Sequence, residues 1–312
     1  MKPFIFIINE KAGNGTAKKV WNKLKNELEQ KKINYQAFYT EYPGHAEELA
    51  KQICLEYKTN IKAIIAVGGD GTMHEVVNGI ADNPTVKAGF IPAGSGNDFS
   101  RGFRVPKSPH EALAFILKNS QNCEQLFDIG KCMVEGLSKN KYFVNSIGTG
   151  FDAAVSKLTN ESKIKKYLNK FGLGSLAYAG AVIRLLFTYK LTNLVLEVDG
   201  VPYRYERVWF ATVSNQPYYG GGMKIAPQAK TTDGLLDVTI VYNLSRLKLL
   251  FVFVTVFFGS HTRFKEVALH QGARISIDSE DKRLVHADGE LIGHTPLTAE
   301  VQHGVMPFLV RS

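Results

Sequence analysis

The sequence is poor in cysteine: Cys54, Cys123 and Cys132 are the only ones among 312 residues. They form no Cys-x-x-Cys pair, and no His stands at zinc-ligand spacing. A disulfide framework and a structural zinc site are therefore excluded, and a reducing cytoplasm fits. Long apolar runs are also missing. The longest, Leu249–Phe258, is interrupted by Thr255 and reaches about half of a membrane span. The run Phe4–Ile8 is too short for a signal-peptide core, so a cytoplasmic location is expected. There are no internal repeats and no low-complexity linker. The net charge is +9, from 38 Lys and Arg against 29 Asp and Glu, and suggests an anionic partner. Zinc-finger, helix-turn-helix and RNP patterns are all absent, so nucleic acid is not that partner.

Hydrophobic residues make up 45% of the chain, enough for packed cores, and the length suggests two domains. The first third alternates strand and helix signals. Phe4–Ile8 is a continuous apolar run, as a strand buried on both faces requires. Val20, Trp21, Leu24 and Leu28 then recur at helical spacing. The same alternation gives strands at Tyr35–Thr40, Ala63–Val67 and Ala88–Ile91, and helices at His45–Tyr57, Met73–Ile80 and His110–Lys118. This predicts an α/β domain over 1–122, with a mostly parallel sheet and helices on both faces. Beyond that, short β-branched runs separated by turns predict a β-rich domain over 123–302, a sandwich or barrel. Its strands include Tyr142–Ser146, Leu194–Val198, Leu236–Val241 and Thr298–Val301, with helical insertions near 153–190 and 245–259. Residues 303–312 are expected to return to the first domain.

Three glycine loops follow strands of the first domain: Asn9–Gly15, Gly68–Thr72 and Pro92–Asp98. In a parallel sheet all three emerge at the carboxyl edge, where open α/β sheets bind ligands. Glycine lets backbone N–H groups approach a phosphate, and a helix start behind the loop favours anions. Gly69-Asp70-Gly71 could instead make a hairpin, but Met73, Val76, Val77 and Ile80 continue with helical spacing. No loop ends in Gly-Lys-Ser/Thr, and none fits Gly-x-Gly-x-x-Gly with an acidic residue after the next strand. The two common phosphate fingerprints are therefore absent.

These residues resemble the diacylglycerol kinase catalytic-domain family, which includes sphingosine, ceramide and soluble bacterial lipid kinases. The likeness rests on Val67–Thr72 followed by Glu75–Gly79, on Ile91–Phe99, on Asn145–Asp152, on Asp233–Val238 and on His286–Glu290. The Ile91–Phe99 loop is the most discriminating, because NAD kinases share the Gly-Gly-Asp-Gly-Thr element but lack this loop.

The resemblance implies a phosphofructokinase-like first domain, a β-rich second domain and ATP in the cleft between them. It implies nucleotide contacts from Asn9, Glu10, Lys11, Ala12 and Gly13, from Thr40, from Gly69, Asp70, Gly71, Thr72, Met73, His74 and Glu75, and from Ser95. It implies a structural Mg²⁺ held by the Lys230 carbonyl, the Asp233 carboxylate and the Leu235 carbonyl, a set suited to that ion. Glu290 would be the base toward a lipid hydroxyl, with Asp288 as helper or turn residue. Asp70 would orient a catalytic Mg²⁺, since a bare carboxylate repels phosphate. The acceptor would be diacylglycerol or a related lipid alcohol. A soluble acceptor such as NAD, and a non-catalytic sensor, are the competing readings. The sequence departs from the family pattern at Glu10, where Pro is usual, and at His74, where Asn is usual. Asp98 and Asp128 are candidates for the same polar network, or else a loop cap and a strand end.

Residues 156–190 hold seven Lys or Arg and one acidic residue, two-thirds of the net charge. Such a basic amphipathic segment is either a solvated face or a handle on anionic membrane. Leu247–Phe258 reads as a second membrane candidate, or as a buried helix lining the core or a lipid pocket. A homodimer is compatible with the sequence.

Overall fold

The computed structural model describes residues 2–58, 60–121, 125–161 and 174–311, with side chains described throughout except at 158–161, 174–179 and 181. The first sheet contains β1 (Phe4–Ile8), β2 (Tyr35–Tyr39), β3 (Ala63–Gly68) and β4 (Ala88–Pro92), all parallel in the order β2-β1-β3-β4. Every residue of β1, β3 and β4 is buried, which explains their unbroken apolar runs. The helices α1 (Thr16–Gln30), α2 (His45–Tyr57), α3 (Asp70–Ile80), α4 (Asp98–Gly102) and α5 (Pro109–Asn119) complete this part. α1 buries Ala17, Trp21, Leu24 and Leu28, one face at helical spacing. Gly79 lets α3 press on α2, since a Cβ there would meet the Ala50 methyl.

The second sheet is antiparallel. It is built from β5 (Phe127–Glu135), β6 (Lys141–Phe143), β7 (Ser146–Gly150), β8 (Thr192–Val198), β9 (Val201–Ser214), β10 (Leu236–Tyr242), β11 (Val267–Gly272), β12 (Arg274–Ser279), β13 (Leu284–Ala287) and β14 (Glu290–Met306). Its pairings close on themselves: β9 pairs β7 with one half and β8 with the other. Arg207, with φ 53°, sits at a register shift within the β8-paired half, between Tyr205 and Val208. The result is a barrel-like sandwich around Ile147, Ala211, Val213, Ile240, Ile277 and Val285. Helices α6 (Phe151–Glu161), α7 (Gly174–Thr188) and α8 (Arg246–Val256) lie beside it.

The end of the chain meets the first sheet. Phe308 bridges Ala88 in parallel, and Leu309 N–H donates to the Ala88 carbonyl at 2.8 Å. Phe308 packs edge-on against Phe99 and Phe103.

Two sequence expectations change. The strand expected at Tyr142–Ser146 is divided between β6 and β7. The N–H groups of Val144, Asn145 and Ser146 leave the strand ladder and donate to the Asp288 carboxylate instead. The span expected to be helical near 153–190 is α6 and α7, and Lys163, Lys165, Lys166 and Lys170 of the basic segment lie outside the described residues. Lys157, Arg184 and Lys190 are exposed.

Candidate active site

The three glycine loops are packed on one another at the carboxyl edge of the first sheet. Gly13 is left-handed (φ 58°), and a Cβ there would strike the Ala93 carbonyl. A Cβ on Gly94 would strike the Cα of Gly69. Side chains at these positions would force the loops apart, so glycine is what lets the three backbones share one edge. Behind the second loop the chain enters α3 at Asp70, not a hairpin.

A cleft of about 460 Å³ opens on this edge. Its wall includes Asn9, Lys11, Ala12, Gly13, Thr40, Gly69, Gly71, Thr72, Glu75 and Ser95. Ten of the residues expected at the nucleotide thus line one cavity, with Glu290 at its far wall. Asn9 Nδ2 donates to Thr72 Oγ1 at 3.3 Å, tying the first loop to the second. The Glu75 carboxylate accepts the N–H groups of Gly44 and Ala46, both at 2.9 Å, and so closes the start of α2. Tyr42 and Pro43, which sequence reasoning passed over, also line the cleft. The Tyr42 ring stacks on His45 at 4.4 Å and gives the rim a flat aromatic surface.

Four expected contacts lie elsewhere, and Asp70 is one of them, in the second cleft described below. Met73 is in the hydrophobic core, on the inward face of α3. Glu10 points to Lys18 at 3.4 Å. His74 is buried and reaches the second sheet, where its Nδ1 hydrogen donates to Asp288 Oδ2 at 2.8 Å.

A second, polar cleft of about 320 Å³ lies on the other side of the loops. It is lined by Asp70, Gly96 and Asp98 from the first domain, and by Asn145, Asp152 and His286 from the second, among others. Asp70 Oδ1 accepts the Phe99 N–H at 2.9 Å. Burial pushes the Asp70 carboxyl up to about 6; the neighbouring Asp98 charge adds to this, and the Phe99 N–H opposes it. Burial likewise raises Asp98, against the Gly221 N–H and the Arg101 guanidinium. A Cβ on Gly96 would come within 2.8 Å of Asp70 Oδ2, so only glycine leaves that oxygen open. Two buried carboxylates on one wall suit a divalent cation. Asn97 adds a buried Oδ1 without a donor in the same loop. Among the described residues no three His, Cys, Asp or Glu form a metal cage, so a cation here would need phosphate or water oxygens as well.

The Asp288-Gly289 pair is the two-residue turn between β13 and β14, with φ 49° and 90°. The Asp288 side chain is fully buried and already accepts four hydrogen bonds, from His74, Val144, Asn145 and Ser146. A carboxylate with every lone pair engaged has none left for a substrate proton. Asp288 thus takes the turn place that the sequence offered as one of its two readings, and its side chain holds residues 144–146. Glu290, two residues on, is half-exposed, with its carboxylate 4.0 Å from His74 Nε2. Loss of solvent in the cleft raises its carboxyl; His74 opposes this and Glu75 reinforces it.

Lys230, Asp233 and Leu235 lie in the loop before β10, apart from both clefts. Asp237, on β10, has a buried Oδ2 with no partner, and its carboxyl is pushed up to about 6 by burial and then by Asp233. That orphaned oxygen fits a cation held beside Asp233, and sequence reasoning had quoted Asp237 without assigning it. Asp128 is remote from the phosphate loops: its carboxylate accepts the N–H groups of Gly234 and Gly304 and faces His303.

Residues 3–131 match the family model for the diacylglycerol kinase catalytic domain. Residues 145–310 match that for the YegS C-terminal NAD kinase beta sandwich-like domain. The chain is 38% identical over 297 residues to the Bacillus subtilis (strain 168) protein named "Putative lipid kinase YtlR", covering 95% of this chain and 96% of that one. It is 32% identical over 271 residues to a diacylglycerol kinase of Staphylococcus aureus (strain JH9), covering 86% and 80%. A crystal structure of a "putative diacylglycerol kinase" from Bacillus anthracis str. Sterne superimposes with a TM-score of 0.76 at 25% identity, covering 99% of this chain and 95% of that one. A kinase-type cleft, both family models and these relatives lead to one conclusion: the chain belongs to the diacylglycerol kinase catalytic-domain family.

Proposed function

We propose that this kinase transfers the γ-phosphoryl group of ATP to the hydroxyl of diacylglycerol or a related lipid alcohol. One observation carries the reading. Consecutive residues of three loops line opposite clefts: Ser95 and Gly96, Gly71 and Asp70, Glu290 and Gly289. The loops are therefore a thin wall between a nucleotide-sized cleft and a polar acceptor cleft, and transfer across that wall needs only a short path. The acceptor cleft in turn shares Asp152, Tyr219 and Met223 with an apolar crevice between α6, α7 and α8. A polar head beside an apolar slot suits a lipid alcohol and disfavours a wholly polar acceptor such as NAD.

Phosphoryl transfer asks a protein mainly for positioning and charge neutralisation. Mg²⁺, when bound, would supply the neutralisation, and Asp70 and Asp98 are the residues that would hold it at the transfer site. Asp233 and Asp237, with the Lys230 and Leu235 carbonyls, would hold a structural ion. The loop N–H groups orient the phosphates. Glu290, raised toward neutral pH, accepts the acceptor hydroxyl's proton. Asp152 and His286, paired at 3.1 Å, orient that hydroxyl from the far side. The cell compartment is the cytoplasm, with visits to anionic membrane where the acceptor resides.

The test is incubation with γ-labelled ATP, Mg²⁺ and a total membrane lipid extract. A new labelled phospholipid, absent with Asp70→Asn, supports the reading. Label transferred only to a water-soluble acceptor would overturn it.

A further inference from the structure

Helix α8 is apolar on both faces. It buries Leu249, Val252 and Val256 on one side. On the other side Leu247, Leu250, Phe251 and Val254 are exposed, at spacings i, i+3, i+4 and i+7, and Phe257 and Phe258 are exposed just past the helix end. The four helical residues fall within one third of a helical turn and form an outward stripe with no polar member. Leu247 and Phe258 are 75% and 78% exposed, so this is not a partly covered core. Ile183 and Phe187 on α7 are exposed one helical turn apart and extend the patch. The two helices are tied by the Arg246 Nε–H donating to the Leu186 carbonyl at 2.8 Å. A contiguous apolar surface of this kind marks contact with a partner or a membrane.

We propose that the outer stripe of α8, with Ile183 and Phe187 of α7, is a face that inserts into the surface of an anionic lipid bilayer. Two observations choose the bilayer. Charge is the first: residues 243–266 contain Arg246, Lys248, Arg263 and Lys265 against one acid, Glu266, which pairs with Lys248 at 2.7 Å. Arg263 and Lys265 are exposed just beyond the stripe. Cations bordering an apolar face complement anionic headgroups. Continuity is the second. Leu250 belongs both to the stripe and to the wall of the apolar crevice, whose inner end shares Asp152 with the acceptor cleft. A lipid could therefore pass from bilayer to cleft along apolar surface, a route that neither a protein partner nor a second copy of the chain would require. The inference deepens the lipid-kinase reading and rests on it for that route. It takes up the second of the two membrane candidates in the sequence, Leu247–Phe258, and adds the two α7 residues and the route into the crevice.

The test compares the full-length protein with the variant Leu247→Glu/Phe251→Glu/Phe258→Glu in co-sedimentation with phosphatidylglycerol-containing vesicles. None of the three residues lines a cleft, and melting curves check that the variant folds. The expected result is a partition coefficient lower by about tenfold or more in the variant, together with wild-type binding that weakens on pure phosphatidylcholine. Equal vesicle binding by both proteins would overturn the proposal. So would a wild-type dimer in sedimentation velocity that becomes monomeric in the variant while vesicle binding is absent from both, because a second copy would then cover the face. A wild type that binds vesicles through these residues but phosphorylates no lipid would keep the docking face and remove the lipid-kinase reading.

Discussion

The Nδ1–H of His74 donates to the carboxylate of Asp288 across 2.8 Å, joining α3 of the first domain to the β13–β14 turn of the second. The same carboxylate gathers the N–H groups of Val144, Asn145 and Ser146. This side chain thus ties the two domains at the turn that carries Glu290.

This arrangement separates two neighbouring acids by their variants. Asp288→Asn puts an amide among donors and leaves several unpaired, which costs about 3–5 kcal/mol for a buried network of this kind. Glu290→Gln changes a half-exposed side chain and should alter stability by only about 0.5 kcal/mol. Its turnover should fall by about 10²–10⁴, the usual contribution of a general base. Urea denaturation and a phosphotransfer assay on both variants check this. A stable, inactive Asp288→Asn beside an active Glu290→Gln would reverse the assigned roles.

His74 makes the domain contact pH-dependent. Burial alone would lower its pKa, but the hydrogen bond and charge of Asp288 outweigh burial and raise it above 6.5. A histidine raised in the folded state contributes stability that is full below its unfolded pKa and is lost as pH rises through the folded one. The wild type should therefore lose stability on the alkaline side of 6.5. His74→Asn restores the residue usual in the family and removes that titration. Denaturation midpoints followed across this range should converge at high pH; curves that stay parallel would remove His74 as the cause.

Asp70 should show the same sign in a more acid range, because folding favours its neutral form. Its carboxyl rises from 3.8 to about 6 on folding, so the unfolded chain gives up the proton first. Stability is then lost as pH rises from 3.8 through about 6, and stays lost at neutral pH. Asp70→Asn keeps an acceptor for the Phe99 N–H and should stabilise the metal-free protein by up to about 3 kcal/mol. It should also abolish phosphotransfer and remove most of the melting-temperature gain that Mg²⁺ with nucleotide gives the wild type. An Asn variant that is less stable and still gains from Mg²⁺ would contradict the assignment.

How much of this was readable in the chain depended on range. The glycine loops and their βα context were legible because strand, loop and helix signals are local. So was the choice of helix over hairpin after Gly71, since Met73, Val76, Val77 and Ile80 carry the helical period. Asp288 was half legible. Asp-Gly announces a two-residue turn, and the turn is there, but nothing near it foretells donors about 140 residues upstream. The break between β6 and β7 was hidden for the same reason, because Tyr142–Ser146 has uniform strand character and only the distant carboxylate ends it. β9 serves β8 with its first half and β7 with its last residues, which no β-propensity reveals. In α8 apolar residues occur all round the helix, so periodicity could not say which face would find a partner. Met73 fell in the core because α3 turns that face inward, although Thr72 just before it and Glu75 two residues on line the cleft.

Asp152 stands where the polar acceptor cleft joins the apolar crevice. Its Oδ2 accepts from Thr212 Oγ1 at 3.3 Å and faces His286 Nε2 at 3.1 Å. Gly148 beside it has no room for a Cβ, which would lie 2.6 Å from that oxygen. His286 is buried, and its second nitrogen has no partner. The pair is thus held against the acceptor side, and neither residue lines the nucleotide cleft. Asp152→Asn should raise KM for the lipid acceptor by about tenfold, the loss of one charge-assisted contact. KM for ATP should stay within about twofold, since no nucleotide contact changes. A role that is merely structural would shift the melting temperature and both KM values together. An increase confined to KM for ATP would place the pair on the wrong side of the transfer.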